Sequence, residues 1–85
     1  MEIRYTKKFE REYKSIDCNL KLKTKIREAL FRKNPFNNVL KTHKLWGNLA
    51  DFWVFSVDFK NRIIFEFLDE KTVMFHSVGG HDIYR

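Results

Sequence analysis

Eighty-five residues, 44% hydrophobic and 16% aromatic, make one domain over residues 1–85 with a modest core, and they exclude intrinsic disorder. The charge of +6 is lopsided: residues 1–45 hold 13 Lys/Arg against 5 Asp/Glu, net +8, and residues 46–85 hold 4 against 6, net −2, which favours a polyanionic partner, nucleic acid or an acidic protein. A lone cysteine, Cys18, rules out an internal disulfide; with no signal-peptide pattern and no apolar stretch near the ~20 residues of a membrane span, a cytoplasmic protein away from membranes is expected.

Ile3-Arg4-Tyr5 suits a short opening strand, and Thr6 is placed to cap a helix. Phe9, Tyr13 and Ile16 recur at i, i+4 and i+7, one helical face. Asp17-Cys18-Asn19 breaks that helix, and a second starts near Leu20, with Leu22, Ile26, Ala29 and Leu30 as its predicted apolar stripe. Asn34-Pro35 ends it, because the residue before proline is driven out of helical geometry. The short join predicts an antiparallel helical hairpin whose basic faces carry Lys21, Lys23, Lys25, Arg27, Arg32 and Lys33.

Residues 36–50 read as a connecting segment. From Asp51 the period becomes two: Trp53, Phe55 and Val57 alternate with Phe52, Val54, Ser56 and Asp58, then Ile63, Phe65 and Phe67 with Arg62, Ile64, Glu66 and Leu68. A tight hairpin at 59–61 predicts Val57 opposite Ile63, Phe55 opposite Phe65 and Trp53 opposite Phe67, on the face the helices cover. Asp69-Glu70-Lys71 makes a second turn before a strand from Thr72 to Val78, in which Val73 and Phe75 face the core and His76 the other side with Arg62. The expected class is α+β in the order β-α-α-β-β-β, a twisted, mainly antiparallel four-stranded sheet with a helical hairpin on one face and an exposed second face.

The chain closes Gly79-Gly80-His81-Asp82-Ile83-Tyr84-Arg85. Two glycines permit a sharp bend, and they are followed by a histidine, a residue type suited to proton transfer, so this end reads as docked and functional. With Thr42-His43-Lys44-Leu45-Trp46-Gly47 and the arginine-led Arg62-Ile63-Ile64-Phe65, the closing run resembles the RelE/ParE toxin superfamily, in its RelE/YafQ-type branch, over essentially the whole chain. The resemblance implies the toxin of a type II toxin–antitoxin pair. Its partners would be a cognate antitoxin and mRNA in the 30S A site of the ribosome, and its activity metal-independent mRNA cleavage.

That chemistry turns the ribose 2′-hydroxyl on the adjacent phosphate and needs a base, a cation and an acid. His43 and His81 are the candidate base and acid, in an order the sequence leaves open, and Arg62 is the candidate cation, against a plainer role pairing with Asp58. Lys60, Asp82 and Tyr84 are auxiliary candidates: a cation, a carboxylate that orients a histidine or caps a turn, and a ring that stacks on a base or anchors the tail. Ser56 and Lys60 stand where relatives carry a further histidine and aspartate. His76 reads as structural, and Cys18, in the inter-helix turn, as inert. The positions 18, 43, 76 and 81 lack structural-zinc spacing, so no metal and no cofactor is expected. Two readings compete: a gyrase-directed ParE-like toxin, against which the closing histidine argues, and a non-catalytic module that binds an antitoxin or RNA.

Overall fold

The computed structural model describes residues 1–84, so Arg85 lies outside the described residues. Strand β1 (Glu2–Tyr5) leads into helices α1 (Lys7–Ser15) and α2 (Cys18–Lys33), then strands β2 (His43–Lys44), β3 (Trp53–Ser56), β4 (Arg62–Phe67) and β5 (Thr72–Gly79). The sheet order is β1-β5-β4-β3-β2, with β1 parallel to β5 and the other pairs antiparallel. The α+β class and the helical hairpin are as expected. The strand count is five rather than four, because His43 and Lys44 pair with Val54 and Trp53 inside the predicted connecting segment. Two residues are too few to display a period.

Local chemistry accounts for the helix ends. Thr6 Oγ1 accepts from the Phe9 amide at 3.0 Å, and Asp17 Oδ1 from the Leu20 amide at 2.8 Å. The Lys21 ammonium sits over the Tyr13 ring, while the Tyr5 hydroxyl donates to Glu28, so α1 and α2 run antiparallel. Among their basic residues, Lys23 reaches Asp58 at 3.4 Å, and Arg27 and Arg32 donate to the carbonyls of Val39 and Met1. Part of the positive charge therefore fastens α2 to the sheet side of the molecule.

The predicted stripe on α2 is wrong by about half a turn. Leu22 and Ile26 are 62% and 61% exposed, and α2 buries Thr24 and Phe31 with Leu20 and Leu30 packed beside them. Phe31 decides the rotation: it has no solvent exposure and lies 4.9 Å from both Phe55 and Phe65 and 5.4 Å from Phe75. Thr24 tolerates burial because its hydroxyl donates to the Leu20 carbonyl at 2.8 Å. Around this contact the helix side of the sheet gathers Ile3, Phe9, Leu40, Val57, Ile63, Val73 and Val78.

Register also departs from expectation. Phe55 opposes Ile63 and Trp53 opposes Phe65, two residues away from the predicted pairing, although the same side chains still face the helices. The cause is a turn centred one residue earlier, on Phe59 and not on Lys60. Asp58 Oδ1 accepts from the amides of Lys60 and Asn61 at 2.9 and 2.8 Å and from Asn61 Nδ2 at 3.0 Å, while the Val57 amide donates to the Asn61 carbonyl at 2.9 Å. A shift of two preserves parity, so the faces survive the error.

The second face is closed, not exposed. Val54 is fully buried, Ile64 and Ile83 are 5% and 6% exposed, and Leu45, Phe52 and Tyr84 pack around them. Between β4 and β5, Ile64 opposes Ser77 and Phe65 opposes Phe75, which leaves His76 as the extra residue of a β-bulge. Its Nε2 meets Glu66 Oε1 at 3.0 Å and its ring lies 4.9 Å from Phe52. None of the helices among the described residues is long and apolar enough to cross a membrane.

Candidate functional site

The closing segment folds back onto the outer face as a 3-10 turn, His81–Tyr84, with Ile83 as its buried residue. Gly79 makes that return possible. Its φ is +155°, and a methyl group there would stand 2.9 Å from Ile83 Cγ2. Gly80 is held close to the 58–61 turn, where a methyl group would lie 3.7 Å from the Lys60 carbonyl oxygen. Ile83 is thus the plug that shuts the second apolar cluster.

Arg62 opposes Gly79 across the sheet and Ser56 on its other side. The structure therefore brings Lys60, Arg62 and the start of the tail, His81, to one end of the outer face. His43 stands apart from them: it opposes Val54, and two inter-strand steps of ~4.8 Å each separate β2 from β4. Directly opposed residues share a face, so His43 lies on the Val54 side of the sheet, the side the tail covers.

The plainer alternative, an ion pair between Arg62 and the Asp58 carboxylate, is absent. Arg62 Nη1 donates instead to the backbone carbonyls of Asp58, Phe59 and Asn61 at 2.6, 3.1 and 3.1 Å. All three bonds use Nη1, and the Nε–Nη2 edge of the guanidinium has no bonding partner among the described residues. The residue is half-buried; it holds the turn with one nitrogen and leaves a two-donor edge unused. Burial works to raise the Asp58 carboxyl; the bonds from Asn61, Lys60 and Lys23 outweigh it and hold the group below the usual carboxylate range.

His43 is exposed, and its Nδ1 lies 2.9 Å from the Lys41 carbonyl. A carbonyl only accepts, so Nδ1 carries the proton and the neutral ring keeps its lone pair on Nε2, pointing away from the bond. That tautomer suits a proton acceptor. Lys41 adopts φ +53°, a left-handed turn that sets the carbonyl beside the ring. His81 is exposed, with its ring 5.8 Å from that of Tyr84. Asp82 is exposed and bonds no histidine among the described residues, whereas half-buried Tyr84 packs on the Val54–Ile64–Ile83 cluster, which is the anchoring alternative. Lys60 is exposed, and its backbone amide serves the Asp58 turn.

Sequence reasoning missed Glu12, whose Oε1 accepts from Ser77 Oγ at 2.7 Å and from the Val78 amide at 3.1 Å. Those bonds tie α1 to the strand that delivers the tail. No periodicity reports them, since Glu12 reads as one more polar helix residue.

No protein-family model matches the sequence, and no curated protein matches it. Solved structures do. The YoeB/ParE toxin from Agrobacterium tumefaciens aligns at a TM-score of 0.80 with 16% identity, over 95% of this chain and 99% of that one. YafQ from E. coli aligns at 0.77 with 23% identity, over 98% and 96%. The YoeB–YefM complex from Staphylococcus aureus aligns at 0.77 with 16% identity, over 95% and 97%. The fold of this chain, over nearly its whole length, is that of the RelE-like toxins.

Proposed function

We propose that the chain is the toxin of a type II toxin–antitoxin pair, acting in the cytoplasm as a metal-independent endoribonuclease on mRNA held in the ribosome. The observation that supports this reading is the return at Gly79, which opposes Arg62 in the sheet and brings Gly80, the residue before His81, close to the Lys60 carbonyl. The fold shared with toxins solved in antitoxin complexes, DinJ–YafQ and YoeB–YefM, supports the antitoxin partner.

His43 Nε2 takes the proton of the ribose 2′-hydroxyl, and the freed oxygen attacks the adjacent phosphorus. The Nε–Nη2 edge of Arg62 takes two phosphorane oxygens, with Lys60 adding positive charge. His81, protonated, gives its proton to the 5′-oxygen as the P–O5′ bond breaks, leaving a 2′,3′-cyclic phosphate and a free 5′-hydroxyl. The nucleophile belongs to the substrate, so Ser56 is not needed as one. The ribosome supplies the alignment that two separated histidines require.

The test is inducible expression of wild type, His81→Ala, His43→Gln and Arg62→Lys, with growth and translated mRNA followed together. Arrest with cut mRNA, lost in the histidine variants and reduced in Arg62→Lys, is the expected result. Arg62→Lys keeps a cation while losing the two-donor edge. Arrest with intact mRNA and gyrase-dependent DNA breaks would replace this reading with the ParE-like one. No arrest would leave a non-catalytic binding module.

A further inference from the structure

Phe59 is 92% exposed, at the tip of the turn between β3 and β4. Single exposed apolar residues are ordinary on protein surfaces. This one differs in how it is held. Asp58 Oδ1 accepts three bonds across the turn, Arg62 Nη1 donates three into its carbonyls, one of them that of Phe59, and the Lys23 ammonium reaches Asp58 Oδ2. The backbone beneath Phe59 is thus fastened from both sides while its ring contributes nothing to the core. A side chain presented on a fixed backbone loses little further freedom when it engages a partner.

The neighbours specify the partner. Lys60, the next residue in the chain, is exposed, Arg62 with its unused edge follows two residues later, and Gly80, which leads into His81, abuts the Lys60 carbonyl. An aromatic face beside two cations matches one unit of single-stranded nucleic acid, a base to stack and a phosphate to neutralise. An apolar protein pocket would match the ring and leave the flanking cations without a role. We propose that Phe59 is a stacking platform for an unpaired RNA base adjacent to the phosphate held at Arg62, an inference that rests on the RNA-cleaving reading above.

The probe is a short, labelled single-stranded RNA with 2′-O-methyl riboses, which has no nucleophile and is not consumed, bound to purified wild type, Phe59→Ala, Phe59→Leu, Phe59→Trp and Lys60→Ala. Phe59→Ala and Phe59→Leu should each bind about 10-fold more weakly, the size of one base–aromatic stack, while Phe59→Trp retains affinity. Their salt dependence should match wild type, whereas Lys60→Ala should lower the slope of log K against log salt by about one. An abasic strand should bind wild type and Phe59→Ala alike. Wild-type affinity in Phe59→Leu would overturn the stacking role. Unchanged RNA affinity in Phe59→Ala with growth arrest lost would assign the tip to a protein partner instead. If wild type binds none of the RNA at any salt, the RNA reading itself fails, and the platform falls with it.

Discussion

Replacing Gly79 by alanine tests the step on which the site depends. The new methyl group meets Ile83 Cγ2 at 2.9 Å, and the residue keeps φ +155°, where side chains are strained. Two routes relieve this. Holding the native geometry costs about 1–3 kcal/mol of backbone strain in addition to the clash. Releasing the tail relaxes both and exposes Ile83, 6% exposed in place, for about 1.5–3 kcal/mol. The protein takes the cheaper route, so the net loss is about 2–3 kcal/mol, or on the order of 10–20 °C in melting temperature for a domain of this size. Urea and thermal melts of Gly79→Ala, Ile83→Ala and the double variant measure it. With the isoleucine already removed the methyl group has nothing to strike, so the double variant should lose about 1 kcal/mol less than the two singles added together. A Gly79→Ala protein within about 0.5 kcal/mol of wild type, or a strictly additive pair, would refute the packing of the tail on the outer face.

The orientation of α2 is checked on the side the structure exposes: Leu22→Gln and Ile26→Gln should each change stability by less than about 0.5 kcal/mol in urea titrations, and losses of several kcal/mol would restore the stripe read from the sequence. Asp58 has a folded pKa below its ordinary value, so its turn contributes stability that is complete above about pH 4 and lost as pH falls through the lower folded value. Acid titration of wild type against Asp58→Ala should show the difference in stability shrinking over that range; a constant difference down to the lowest pH would count against the three-bond turn. Burial, then the bond and charge of Glu28, push the Tyr5 phenol from 10.0 up to about 12, so its contribution is complete below pH 10 and lost as pH rises through about 12. Ultraviolet titration reads this directly, Glu28→Gln should bring the phenol back toward its usual range, and ordinary titration in wild type would sink the assignment.

Legibility followed the range of the interactions. Thr6 caps a helix through a bond to an amide three residues on, so its role was visible in the chain; Asp17 does the same for α2 but read only as part of a helix break. The period-two pattern through Trp53, Phe55, Ile63 and Phe65 marked the faces of β3 and β4, because parity alone decides which side packs. It left their register open, since Asp58 sets it by accepting bonds within a turn that period two does not see. The α2 stripe failed because Leu22 and Ile26 outscore Thr24 on hydrophobicity, while the rotation is decided by Phe31 meeting three other phenylalanines from distant strands. Of the candidate site, His81, Arg62 and Lys60 were legible as residues and share one end of the outer face; the double duty of Arg62, bracing the turn with Nη1, required the carbonyls of three residues in place.

The closed outer face changes how an activity measurement has to be read. Gly79 positions two residues at once, the buried Ile83 and the exposed His81, so a Gly79→Ala protein loses packing and any proton transfer from the tail together. His81 itself is solvent-exposed, and its replacement leaves the Val54–Ile64–Ile83 cluster intact. Chemistry and positioning are therefore separable: a His81→Ala protein with wild-type stability and no cleavage assigns the proton to the imidazole, whereas Gly79→Ala, inactive and less stable, assigns only the docking. Arg62 resembles Gly79 in this respect, since lysine retains a charge and loses the turn bonds and the unused edge together. Stability and cleavage measured on one set of variants thus distinguish the residues that hold the tail from those that act on the phosphate.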